Sequence, residues 1–148
     1  MTERLVKFEN VDAAIAEIEQ LRHGCTPTGN WSLPQACWHL NQILTYFMTA
    51  PATTPVATPP GGPEKLATVL STGAIPSGIQ SPERVLPPAN CTDADVTTFI
   101  ATLQKFKTFA GPFPPHRLFG AMTPEEGKKL NLIHIAHHLS KLIPAAEG

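Results

Sequence analysis

Near the end of the chain, Leu130-Asn131-Leu132-Ile133-His134-Ile135-Ala136-His137-His138-Leu139 places three histidines close together. On a helix His134 and His138 stand one above the other, about 40° apart around the axis, with His137 about 60° to the other side. Two imidazoles at that spacing can reach one divalent metal, and a third ligand has to come from another element. The zinc-protease pattern His-Glu-x-x-His is excluded, because Ile135 stands where its glutamate would be. A second reading stays open, since Asn131 and Lys141 share the stripe and such a mixture also fits a face turned to water.

The element that must position these histidines is marked at both ends. Thr123-Pro124-Glu125-Glu126 supplies an N-cap, a proline at the first helical position and a carboxylate for a capping box. Pro144 marks the far end, so the pattern predicts a helix from Pro124 to Ile143. Leu132, Ala136, Leu139 and Ile143 lie opposite the histidines while Leu130, Ile133, Ile135 and Leu142 flank them, and a helix this apolar is expected to be largely enclosed. Capping already accounts for Glu125 and Glu126, so neither is assigned as a general base.

Earlier segments supply its partners. A first helix is predicted from Val11 to His23, with Gly24 as its stop and His23 serving only the helix dipole. Ser32 and Gln35 form a capping box for a second helix reaching about Thr49, whose stripe is Leu33, Ala36, Cys37, Leu40, Leu44 and Phe47. His39 falls at the edge of that stripe, where a hydrogen-bonded packing residue is the plain alternative to a ligand. Cys37-x-His39 is not a mixed metal site, because on a helix the two lie about 160° apart.

Nine of the 16 prolines lie between Pro51 and Pro88, which excludes long regular elements there. One short helix is predicted from Pro63 to Thr72, with Leu66, Val69 and Leu70 inward and Gly73 as its stop. Ile75-Pro76-Ser77-Gly78 and Val85-Leu86-Pro87-Pro88 are expected to wrap the helices in extended form. Thr92-Asp93-Ala94-Asp95 caps a third long helix through Val96, Phe99, Ile100, Leu103 and Phe106 to a stop at Gly111. Then Pro112-Phe113-Pro114-Pro115-His116 leads on, bringing His116 close enough to approach a site.

The 148 residues fit one domain with a real core, 1–148. With 11 basic and 12 acidic residues and no block of like charge, a nucleic-acid partner is not expected. No apolar run has the length of a membrane span, and Met1-Thr2-Glu3-Arg4 lacks the order of a secretion signal, so a cytoplasmic protein is expected. Cys25, Cys37 and Cys91 lack paired spacing, and no disulfide is expected. The fold class that follows is all-α, a four-helix bundle with a long proline-rich crossover between the second and third helices.

Asn30-Trp31-Ser32 through His39-Leu40, followed by His134-x-x-His137-His138, resembles the DinB/YfiT-like family of metalloenzymes. Leu118-Phe119-Gly120-Ala121-Met122-Thr123-Pro124-Glu125-Glu126 and His134-Ile135-Ala136-His137-His138-Leu139 are similar to a bacterial subgroup of unassigned function. The resemblance implies an up-down-down-up bundle with a divalent metal at one end. Its ligands would be His39, His134 and His138, and His137 an extra histidine that need not bind. Many relatives carry glutamine where this chain has Lys141.

Three neutral imidazoles would leave the metal its charge and an open coordination position, the arrangement of catalytic rather than structural sites. Zinc, nickel or ferrous iron all suit nitrogen ligands. Such a metal acidifies a bound water or thiol, and the resemblance implies thiol-dependent transferase or isomerase chemistry on a small molecule, with a low-molecular-weight thiol as partner and hydrolysis as a second enzymatic route. The alternative from another class is a non-catalytic metal- or ligand-binding protein linked to stress. The breadth of apolar surface on the last helix, with the resemblance, leads to an expected homodimer. Coverage by Ile75, Ile79, Val85 and Leu86 is the competing expectation.

Overall fold

The computed structural model describes residues 6–57, 59–75 and 82–145. Five α-helices and one small sheet follow in the order α1 (Val11–Arg22), β1 (Cys25–Pro27), α2 (Leu33–Thr49), α3 (Gly62–Thr72), a 3-10 turn (Glu83–Val85), α4 (Asp93–Thr108), α5 (Pro124–Leu139) and β2 (Leu142–Pro144). The protein is therefore mostly helical.

Local chemistry sets the helix starts. Asn10 accepts a hydrogen bond from the Ala13 amide at the head of α1. At α2 the Ser32 amide donates to Gln35 Oε1 at 3.0 Å and the Gln35 amide donates back to Ser32 Oγ, and Thr123 and Glu126 exchange the same pair at α5. Each such cap is worth roughly 1 kcal/mol, enough to fix where a helix begins but not what it packs against. Packing comes from the apolar stripes. α2 lies along α4, α1 touches both α4 and α5, and α5 also meets α2 and α3. Val96, Phe99, Leu103 and Phe106 of α4 are wholly buried among Ile18, Leu21, Leu40 and Leu44.

Two helices end several residues short of the sequence expectation. α5 stops at Leu139 rather than Ile143: Ser140 caps it, and Leu142–Pro144 turns into an extended strand antiparallel to Cys25–Pro27, with Thr26 opposite Ile143. The apolar rhythm continues past Ser140, but the backbone of Lys141 is committed to Thr28, whose amide donates to its carbonyl at 2.7 Å. The all-α expectation thus gains a two-stranded ribbon, which ties the α1–α2 connection to the end of α5. α4 stops at Thr108 instead of running to Gly111. Gly111 serves the turn that follows, at φ 84°, where a side chain would meet the Pro124 ring at 3.0 Å.

The apolar face behind the expected homodimer is covered within the chain. Leu139 and Ala136 are buried, Leu132 packs on the core, and Ile143 sits in the ribbon instead of on the helix. Leu86 is the large apolar side chain left exposed among the described residues. Val85 and Ile75 of the crossover do pack inward, whereas Ile79, the segment Pro76-Ser77-Gly78 and Met1–Arg4 lie outside the described residues. Among the described residues no helix is long and apolar enough to cross a membrane.

Candidate metal centre

α2 and α5 carry the site between them. The ring nitrogens of His39, His134 and His138 offer one ligand atom each, all within 4.8 Å of one another. His134 Nε2 and His138 Nε2 are 3.1 Å apart, as the i,i+4 spacing on α5 requires. Two neighbouring zinc-bound nitrogens in a tetrahedron of ~2.05 Å bonds stand about 3.3 Å apart, so the pair needs little movement to share a cation. His39 faces them from α2, its ring centre 4.6 Å from that of His138 and 5.7 Å from that of His134.

His39 is fully buried, not at the boundary where helical periodicity puts it. The crossover accounts for the difference, because the 3-10 turn folds over α2 and brings the Val85 carbonyl 2.7 Å from His39 Nδ1. A carbonyl only accepts, so Nδ1 carries the proton and donates. Nε2 is left as a lone pair facing the other histidines, buried and without a hydrogen-bond partner. A buried acceptor with no partner costs about 1–3 kcal/mol, and a metal would satisfy it. An imidazole whose second nitrogen is held by a carbonyl is also the usual support for a metal ligand.

The electrostatics agree with this donor set. Burial, with smaller contributions from His39, His137 and His116, lowers the His134 pKa to about 3. Burial and the neighbouring histidines push His138 well below the usual imidazole range, and burial lowers His39 against the opposing effect of its bond to Val85. All three are neutral near pH 7 and have lone pairs to give. His134 and His138 also lie in the last turns of α5, where the helix dipole favours positive charge. The residues present fit a divalent metal, and they supply three nitrogens with no protein carboxylate or thiolate among them.

Trp31 closes one side of the cluster. Its ring stacks on His138 at 5.4 Å and 17° and tilts against His39 at 4.6 Å. The contacts of the Thr28 amide and hydroxyl with the Lys141 carbonyl, beside the ribbon, tie down the loop that leads to this tryptophan. On the other side, a cavity of about 520 Å³ reaches His134 and is walled by Phe47, Leu118 and Phe119. His116 belongs to this wall, sandwiched between Phe119 at 4.5 Å and Phe47 at 5.8 Å.

The reading of the stripe as a solvent face is overturned. Asn131 is buried, donates to the Gly127 carbonyl at 2.7 Å and lines the cavity. His137 touches His138 ring to ring but contributes no atom to the three-nitrogen group, and His23 is exposed at the end of α1. Cys37 is buried in the apolar core, where burial raises its thiol pKa far above the usual range. Sequence reasoning missed the Val85 carbonyl, which no side-chain pattern could reveal. It also missed Gly127, whose place inside a helix was a legible signal: a Cβ there would lie 2.4 Å from the ring of Phe113.

Residues 1–145 match the model of a family described as protein of unknown function (DUF1569). No curated protein and no solved structure matches the chain.

Proposed function

The chain belongs to the DUF1569 family, and for this member we propose a divalent-metal-dependent enzyme that acts on a small molecule held in the cavity beside His134. The observation that carries the reading is the buried, unpartnered Nε2 of His39, turned toward two further neutral imidazoles. Stability alone gives no reason to bury a lone pair there.

In this reading His39, His134 and His138 hold the metal, and α1, α2, α4 and α5 form the DinB-like four-helix bundle in up-down-down-up order. Zinc, nickel or ferrous iron would each supply Lewis acidity to a small-molecule donor. The chain's own residues do the rest. The Val85 carbonyl keeps His39 in the tautomer that leaves Nε2 free to ligate, Trp31 screens one side from water, and the aromatic wall with Asn131 shapes the space where substrate lies. The reaction class is transfer or isomerisation with a low-molecular-weight thiol, which needs only an acidified thiol and an oriented electrophile. The absence of any carboxylate from the cavity lining among the described residues favours this over water activation by a general base.

The same lack of a carboxylate supports one second reading, a non-catalytic protein that sequesters a metal-bound ligand. Turnover with a panel of thiols and electrophiles separates the two. Activity in the wild type that disappears in His138→Ala is the expected result, and equal rates in both proteins would overturn the enzyme. The homodimer rests on the family resemblance, and light scattering at micromolar concentration measures it.

A further inference from the structure

The cavity beside His134 carries information about what enters it. Its lining contains Arg84, Arg117, His116, His134 and Tyr46 as ionisable groups and no aspartate, glutamate or lysine among the described residues. Both arginines are exposed, at the solvent side, while His134 lies at the buried end. The walls are largely apolar and aromatic, from Ile43, Phe47, Leu118 and Phe119, with Asn41, Gln42, Thr45 and Asn131 among them. A volume of about 520 Å³ suits a small metabolite, not a polymer.

Arg84 is held for this role. Its guanidinium lies over the Tyr46 ring, 5.8 Å from the centroid, which orients the planar fork without using its hydrogen-bond donors. It also sits next to Val85 on the turn that fixes His39, so one short segment of the crossover serves both the metal ligand and the cavity mouth. His116 contributes a directed donor on the wall: its Nδ1 accepts from the Leu118 amide at 3.0 Å, which leaves the proton on Nε2.

We propose that the cavity takes a small organic anion with an apolar body, its carboxylate at the Arg84 guanidinium and its reacting end inward at His134. This rests on reading the cavity as the substrate side of the histidine site. Guanidinium pairs a carboxylate through two parallel hydrogen bonds, and the apolar walls accept the body. A cationic ligand of the same shape meets the Arg84 charge and finds no acid among the described lining residues.

The test is calorimetric titration of tag-free, metal-assayed protein with 4-phenylbutyrate, 4-phenylbutanol and 4-phenylbutylamine, three probes that differ only in the end group. The acid is expected to bind about tenfold more tightly than the alcohol, and the amine most weakly, as a charge-assisted pair at a partly exposed site allows. In Arg84→Gln the acid should fall toward the alcohol while the alcohol is unchanged, and Arg84→Lys should recover part of the difference. An acid that binds no better than the alcohol, or no binding by any probe at millimolar concentration, would overturn the proposal. So would a preference for the acid that survives Arg84→Gln with Arg117→Gln but disappears in His138→Ala, because the carboxylate would then sit at the histidines. An Arg84-dependent preference in protein that holds no metal would support the anion site while removing the metal enzyme.

Discussion

The inner face of α4 and the seam between α2 and α5 are both buried, yet they are built from opposite chemistry. Val96, Phe99, Leu103 and Phe106 on α4 are wholly enclosed and wholly apolar, and burial of each such side chain contributes about 1.5–3 kcal/mol. The seam instead encloses His39 and Asn131, with His134 and His138 beside them, and leaves a lone pair unsatisfied. The first region explains why the chain folds. The second weakens the fold locally, and such a cost is typical of sites kept for function.

If the two regions have these separate roles, variants should sort cleanly. The largest expected loss of stability is in the apolar region: Phe106→Ala should cost about 3–5 kcal/mol in urea denaturation while leaving metal affinity per folded molecule unchanged. Metal removal acts on the other region. With free metal a hundredfold above its Kd, chelation should lower stability by about 3 kcal/mol and the melting temperature by on the order of 5–10 °C, with far-UV helicity retained because the capped helices have their own core. Loss of helicity on chelation would mean the metal is needed for folding.

Acid should weaken the seam next. His39, His116, His134 and His138 all titrate below the ordinary 6.5, with His116 near 4 and His134 near 3, burial being the main cause. In the unfolded chain these groups take up protons around pH 6.5, but the folded protein resists until lower pH. Their contribution is therefore fully present above about 6.5 and lost as pH falls toward 4 and 3. Urea midpoints of metal-free protein between pH 7.5 and 4.5 measure it, and a flat profile would contradict the burial of neutral imidazoles. The smallest effect is also the sharpest contrast. His138→Leu should leave metal-free protein unchanged or more stable by about 1 kcal/mol, while abolishing metal binding, because it replaces a half-buried polar ring by an apolar side chain.

What could be read in advance follows the range of the interactions. Ser32 with Gln35 and Thr123 with Glu126 lie three residues apart, and both capping boxes are where the sequence puts them. The closeness of His134 and His138 is likewise a matter of helical spacing. His39 is different: its neighbours on α2 suggested a boundary position, and the family resemblance, not the periodicity, pointed to it as a ligand. Its burial depends on Val85, 46 residues away, through a carbonyl that every residue possesses. The end of α5 was overrun for the same reason. Leu142 and Ile143 continue an apolar pattern that suits helix or strand, and pairing with Cys25–Pro27 decides the outcome from the far end of the chain. The cavity arginines gave no local signal, since Arg84 and Arg117 come to line one cavity only after the crossover folds.

Elemental analysis of protein purified without an affinity tag tests the central claim most directly. The account predicts close to one divalent metal per chain in the wild type, and none retained in His39→Ala, His134→Ala or His138→Ala, with His23→Ala behaving as wild type. Protein that folds, binds no divalent metal when supplied with zinc, nickel or ferrous iron, and shows no difference between these variants would contradict it.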